Sequence, residues 1–218
     1  MSTHHVVAVL QLCAGSGKTT LATNLAGELS RFCSVALIDC HPLSRRASKW
    51  GAQRQDDGRS TRGFVVQAAA TPPELLERAY RLRERVDYVV LDGPNDPHMT
   101  KAVAAMSELC LVPVLPVEDG NGFCAPTISV LREARQLRRF RVRAVTMRQR
   151  TDRYREAARL DVAKSLKTVL CERQAYSAAL ATGGIASESR DPMAKEELAN
   201  LLQEVSSLVS LDRAARQA

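Results

Sequence analysis

An α/β fold, a mostly parallel twisted sheet with helices on both faces, is predicted by three features of the sequence. Short apolar segments alternate with amphipathic ones along the whole chain. Several of the apolar segments carry almost no polar residue, as strands buried on both faces require. The first of them runs into a glycine-bearing turn and then at once into a helical repeat, a strand–turn–helix unit.

Taken in order, residues 6–12 are the first strand. Residues 18–30 form the first helix, with Leu21, Leu25 and Leu29 in line and Ala22 and Ala26 beside them. The run SVALID, residues 34–39, is a strand ending on an acid; a turn at 41–44 and a helix over 44–50 follow. Residues 53–61 are polar and glycine-bearing, the composition of a loop. After a strand at 63–68, Thr71, Pro72, Pro73 and Glu74 supply a cap, prolines and a first-turn acid for a helix over 73–85. The run DYVVLD, residues 87–92, is again a strand ending on Asp.

A loop at 93–97, a helix at 98–107, a strand at 109–115 and a Gly/Pro-containing loop at 116–126 come next. A helix over 127–139, with Ile128, Leu131 and Leu137 on one side, precedes a strand at 142–147. A basic helix is expected over 152–166, and a short strand at 168–170. A helix over 175–182 stops at Gly183-Gly184. The last helix, 191–209, has Asp191 as cap and Pro192 at its first position, and the tail from Leu211 is expected to fray. Residues 1–218 read as one domain, without repeats or linkers.

Aromatic residues are only 4% of the chain, so Leu, Val and Ala must fill the core. No run of 18 apolar residues reads as a membrane-spanning helix, and the first residues show no basic region and no cleavage-like site of a signal peptide. Six cysteines, Cys13, Cys33, Cys40, Cys110, Cys124 and Cys171, form no C-x-x-C pair and read as small buried hydrophobes. The net charge of +7 is unevenly spread. Residues 132–167 hold 13 Lys/Arg against 4 Asp/Glu, while the remainder holds 18 against 20. The whole basic excess lies in that stretch, which suits a polyanion such as nucleic-acid phosphate, with a solvated pair of helix faces as the plain alternative.

The turn after the first strand reads Gly15-Ser16-Gly17-Lys18-Thr19-Thr20. Together with its strand and helix it has the layout of a phosphate-binding loop. Backbone N–H groups of Ala14–Thr20 face phosphate at the positive end of the helix dipole, Lys18 reaches the outer phosphates, and the Thr19 hydroxyl ligates Mg²⁺. The general pattern G-x-x-x-x-G-K-[ST] is broken at its first glycine, which is Leu12. In parallel α/β sheets ligands sit at the carboxyl ends of strands, where Asp39 and Asp92 join this loop. The two acids are candidate Mg²⁺ holders; a turn-capping Asp is the ordinary alternative for each. The expected class is therefore a P-loop NTPase.

The altered loop, LID-x-x-P, YVVLDGP, LVPVLP and RQAYSAALATGG with a later A-x-x-E together resemble the ParA/MinD ATPases, from about Val6 to Val209. The nearest group is the small plasmid-partition ParA proteins without an N-terminal DNA-binding domain. The resemblance implies a sheet of seven or eight strands, ATP/ADP and Mg²⁺ as cofactors, and a homodimer when ATP is bound. It also implies binding to DNA without sequence preference, a ParB-like or other adaptor that stimulates hydrolysis, and a cytoplasmic, nucleoid-associated protein. Lys18 and Asp39 would be catalytic. The signature lysine of the family, which reaches across the dimer, is here Cys13, and the second Asp of the family's D-x-D-P-Q is His41. His41 either orients the attacking water or is a loop histidine without a role.

These replacements bear on hydrolysis more than on binding. Losing a cation at the transferring phosphate can cost roughly 10³–10⁵ in rate, by analogy with arginine fingers. Three outcomes are open: Arg148 or Arg150 substitutes, hydrolysis is very slow, or the protein is a nucleotide switch without turnover. Contact with DNA or solvent is an equal reading for those two arginines. The DNA surface would draw on Arg135, Arg138, Arg139, Arg153, Arg155, Lys164 and Arg173. A non-hydrolysing, nucleotide-bound scaffold that positions a protein complex is the alternative function, and a metabolic P-loop enzyme ranks last for want of a second substrate pocket.

Overall fold

The structure, a computed structural model, describes residues 4–59, 63–115, 124–149 and 163–217. Seven strands form one sheet: β1 His5–Val9, β2 Val35–Asp39, β3 Phe64–Ala68, β4 Tyr88–Asp92, β5 Leu109–Val114, β6 Arg141–Gln149 and β7 Lys164–Cys171. Their order is β3-β2-β4-β1-β5-β6-β7, and every neighbouring pair is parallel. The helices are α1 Lys18–Leu29, α2 Arg46–Asp56, α3 Pro72–Leu82, α4 Pro97–Met106, α5 Ala125–Leu137, α6 Gln174–Ala181 and α7 Pro192–Gln217.

Alternation along β1 shows how two cores arise. Val7 and Val9 face one side, packed with Leu21 and Leu25 of α1, Trp50 of α2, Tyr176 of α6 and Leu198 of α7. Val6, Ala8 and Leu10 belong to the other side, with Leu75 of α3, Met99 of α4 and Leu131 of α5. A period of two sends successive side chains to opposite faces, so an all-apolar strand is buried on both.

The chain winds one way from β1 to β2 and crosses to β5 on the other side, so the strand order switches at β1. A crevice opens at the carboxyl ends beside such a switch. Register brings the site residues level: Asp39 pairs with Asp92, and Asp92 with Val9. Gly93 makes the close approach possible. A Cβ there would lie 2.6 Å from the Val9 carbonyl oxygen, to which the Gly93 N–H donates at 3.0 Å.

The expected capping holds. The Glu74 N–H donates to the Thr71 hydroxyl, and the Met193 N–H to Asp191 Oδ1 at 3.0 Å. Three expectations are corrected. The polar stretch 53–61 is not all loop, because α2 runs to Asp56. Lys164, Ser165 and Leu166 belong to β7 rather than to a basic helix, whose residues 152–162 lie outside the described residues. The chain from Leu211 continues α7 to Gln217 instead of fraying. β7 is the sheet edge, and Glu204 of α7 covers it by accepting from the Lys167 and Thr168 N–H groups at 2.9 and 2.7 Å.

Candidate nucleotide site

A cleft of about 1000 Å³ opens at the carboxyl ends of the strands. One wall is Ala14–Thr20; the others come from His41, Ser44, Arg46 and Lys49, from Asn95, from Met147 and Arg148, and from residues 170–174 with Tyr176. The loop is shaped by two left-handed glycines, Gly15 at φ 74 and Gly17 at φ 94. Gly17 is the residue that starts α1, and a Cβ on it would also lie 3.0 Å from Met147 Cε. The first turn of α1 thus presents its free N–H groups to the cleft.

The loop is anchored from below. Buried Gln11 donates from Nε2 to Cys124 Sγ at 3.2 Å, and its Oε1 accepts from the Thr127 hydroxyl. The Leu12 N–H in turn donates to Thr127 Oγ1 at 2.9 Å. A leucine stands where the general motif has glycine, and its backbone is fixed by the first turn of α5.

Lys18 is 7% exposed; its ammonium donates to Asn95 Oδ1 at 2.7 Å and to the Cys13 carbonyl at 3.2 Å. Burial lowers its pKa, and the charge of Asp92 opposes that shift. Asp92 is 1% exposed and accepts from the Thr19 hydroxyl, yet its Oδ1 has no hydrogen-bond partner among the described residues. The hydroxyl of Ser16, also 1% exposed, has none either. A buried carboxylate oxygen without a partner, next to a threonine hydroxyl and a lysine under a P-loop, fits a Mg²⁺–phosphate group. Thr19 and Asp92 are the residues that would hold it.

Asp39 is used differently. Its Oδ1 accepts from the His41 N–H at 3.0 Å, and its Oδ2 from the Ser48 N–H and hydroxyl at 2.9 and 3.0 Å. Its carboxylate caps the start of α2. His41 lines the cleft, and its Nδ1 accepts from the Ser44 N–H at 3.3 Å. Neither Asp39 nor Asp92 forms the cleft wall itself.

Of the arginines considered to replace the missing lysine, Arg148 lines the cleft at the end of β6 with φ 56, and Arg150 lies outside the described residues. Arg135, Arg138, Arg139 and Lys164 are exposed. Arg138 also donates to the Met106 carbonyl at 3.3 Å, at the end of α4. Arg153 and Arg155 are outside the described residues. Arg173 is 16% exposed and pairs with Glu197 at 2.8 Å and Asp191 at 3.7 Å. Asn95, Arg46 and Ser48 were not found by sequence reasoning. Asn95 had a usable signal, since it falls three residues beyond the strand-end Asp92 at the switch point.

No protein-family model matches the chain. Two proteins named "Maintenance of carboxysome distribution protein A" are similar in sequence. The one from Gloeobacter kilaueensis is 38% identical over 115 residues, 51% of this chain and 49% of that protein. The one from Halothiobacillus neapolitanus is 28% identical over 134 residues, 60% of this chain and 59% of that protein. The chain thus spans about half of the first relative's length and under two thirds of the second's. In fold it resembles a Cyanothece McdA–ATP complex (TM-score 0.70, 16% identity, 94% of this chain and 98% of that one). It also resembles MinD in the MinC:MinD complex of Aquifex aeolicus (0.72, 16%, 93% and 96%). The third likeness is to the Mg-ADP complex of MinD from Pyrococcus horikoshii (0.70, 16%, 96% and 98%). The chain therefore shares its fold with McdA and MinD, and part of its sequence with two proteins named for carboxysome distribution.

Proposed function

We propose that this chain is an ATP-dependent positioning protein of the ParA type, acting as one domain over its 218 residues. It binds MgATP, pairs with a second copy around the nucleotide and then binds DNA without sequence preference. An adaptor, ParB-like or other, promotes ATP hydrolysis and release. One observation carries the reading: the unpartnered, buried Asp92 Oδ1 lies under a P-loop whose Lys18 is held at the cleft by Asn95. The loop N–H groups of residues 14–20 would hold phosphate, and Lys18 would leave Asn95 to meet the outer phosphates. The Mg²⁺, when bound, would neutralise phosphate charge between the Thr19 hydroxyl and Asp92.

No helix among the described residues is long and apolar enough to cross a membrane. A cytoplasmic, nucleoid-associated site of action belongs to the same proposal. The relatives' names concern carboxysome distribution, so a protein assembly joins the plasmid as a cargo class to test. The deciding experiment is DNA binding to unrelated duplexes at moderate salt, with and without MgATP. Affinity is expected to rise with MgATP; equal affinity in both conditions sinks the DNA-switch reading.

A second reading, a non-hydrolysing nucleotide-bound scaffold for a protein complex, rests on Cys13 and on Asp39. The lysine is absent, and both carboxylate oxygens of Asp39 are occupied by the start of α2. It expects nucleotide retained through purification and no phosphate release with DNA and adaptor present.

A further inference from the structure

The start of α2 goes against the electrostatics of a helix N-terminus. Arg45, Arg46 and Lys49 bring three positive charges to the positive end of the dipole, and no acid stands in the first turn. Arg45 is also held at φ 44, a left-handed conformation that a non-glycine residue seldom adopts. Such features persist where surrounding structure over-determines them, and they cluster at binding sites. Here Asp39 does so. Its bonds to His41 N–H, Ser48 N–H and the Ser48 hydroxyl fix the first turn of α2 above the carboxyl ends of β2 and β4.

Arg46 and Lys49 thereby line the same cleft as Ala14–Thr20. Both are exposed, and neither makes an ion pair among the described residues. The charge of Arg46 nonetheless reaches the buried Asp92 carboxylate. Arg173, another cleft arginine, is committed to Glu197 and Asp191. In the P-loop wall of the same cleft, the Ser16 hydroxyl is buried without a partner among the described residues. Two exposed cations of one helix start, in the same cleft as a P-loop whose Ser16 hydroxyl is buried without a partner among the described residues, call for an anion that lies beyond the P-loop.

We propose that Arg46 meets the terminal phosphate of a nucleoside triphosphate, supplied by the chain that holds the nucleotide, in the role left by the absent lysine at Cys13. The proposal rests on the nucleotide reading above and refines the expectation of Arg148 or Arg150. On this proposal a diphosphate stops short of Arg46, and the residue discriminates triphosphate from diphosphate.

The test compares Arg46→Ala, Arg46→Lys and Arg148→Ala in the full chain. MgATP and MgADP affinities are measured by calorimetry, and phosphate release in a single turnover. Arg46→Ala is expected to weaken MgATP roughly 10- to 100-fold, the loss of one charge-assisted contact. MgADP affinity and the unfolding temperature stay close to wild type, and Arg46→Lys recovers part of the loss. Any turnover falls roughly 10³-fold by analogy with arginine fingers. An unchanged ATP-to-ADP affinity ratio in Arg46→Ala overturns the proposal, as does a selective loss in Arg148→Ala instead. Restored turnover on mixing Arg46→Ala with Lys18→Ala chains places the arginine across a dimer and overturns the same-chain assignment. A wild-type protein that binds neither nucleotide sinks the site reading itself, which is a separate result.

Discussion

Asp92 carries an electrostatic load that a bound cation would relieve. Burial first, and then the charge of Asp39, push its carboxyl up to about 7, against the Thr19 hydroxyl and the charges of Lys18 and Arg46. The sign follows from linkage. The folded pKa lies above the ordinary 3.8, so the folded state holds the proton more tightly than the unfolded chain. The stability this contributes is complete below about pH 4 and is lost as pH rises through about 7. Asp92→Asn is therefore expected to raise the unfolding temperature of the nucleotide-free protein at pH 8 and to flatten its decline between pH 5 and 8. The same variant loses the stabilisation that Mg²⁺ adds to ADP. Thermal unfolding across that pH range, with and without Mg-ADP, checks both; an unchanged pH profile contradicts the assignment. Binding of Mg-nucleotide to the native protein strengthens with pH toward 8, because Mg²⁺ must displace the Asp92 proton.

At this scale, chain-local features were legible and long-range ones were not. Lys18 and Thr19 announce themselves by adjacency to Gly17, and Asp92 by ending an apolar run. The contact of Lys18 with Asn95 joins residues 77 apart and depends on β4 lying beside β1. Asp39 was visible as a strand-end acid, but its bond to Ser48 needs the first turn of α2 to fold back over it.

Among the elements, β7 and α2 show where periodicity misleads. The basic residues before 164 suggest a helical face, yet Lys164–Cys171 mixes exposed and buried positions in its first half and ends in a buried run led by Thr168 and Val169. β-branched residues suit a pleated edge that α7 covers. Gln53–Asp56 is polar, but Arg54 extends α2 by donating to the Gly183 carbonyl at 3.1 Å and pairing with Glu188 at 2.9 Å. Tertiary partners outweigh local composition there.

The joint between β7, α6 and α7 is a buried polar cluster. Glu197 accepts from Tyr176 Oη at 2.8 Å, from Arg173 Nε at 2.9 Å and from the Cys171 N–H at 3.2 Å. Removing the carboxylate leaves a largely buried guanidinium and a buried phenol without it. Glu197→Ala is expected to cost about 3 kcal/mol. That lowers the unfolding temperature by roughly 6–12 °C in a domain of this size. Thermal denaturation measures it. The exposed pair Arg81–Glu77 is the control: Glu77→Ala should change stability by under about 1 kcal/mol.

For the molecule as a whole, the cleft and the exposed arginines that end α5 lie at opposite ends of the sheet. The P-loop, Asp39 and Asp92 stand at the carboxyl ends. Arg138 and Arg139 follow α5 and lead into the amino end of β6, where Arg143 pairs in register with Lys164. If this surface meets DNA under nucleotide control, the signal travels the length of the central strands to reach it. If the exposed arginines contact DNA phosphate, Arg135→Ala and Arg139→Ala each reduce the slope of log affinity against log salt by about 1. Their effect is uniform across duplex sequences, and a salt titration on two unrelated duplexes reads it. The parallel sheet, the two-sided core and the cleft's position were legible because buried parallel strands read as apolar runs. The separation of the two surfaces was not, because the amino and carboxyl ends of a strand carry no distinguishing local pattern.

Trp50, the chain's one tryptophan, gives the protein an optical handle. Its indole is 2% exposed, donates to the Gly184 carbonyl at 2.7 Å, meets Phe64 edge-on and lies along the cleft. A single emitter is thus seated where α2, the Gly183-Gly184 turn and the nucleotide wall meet. A tilt of α2 that carried Arg46 toward a phosphate would stretch that indole bond and alter the emission, without any label being attached.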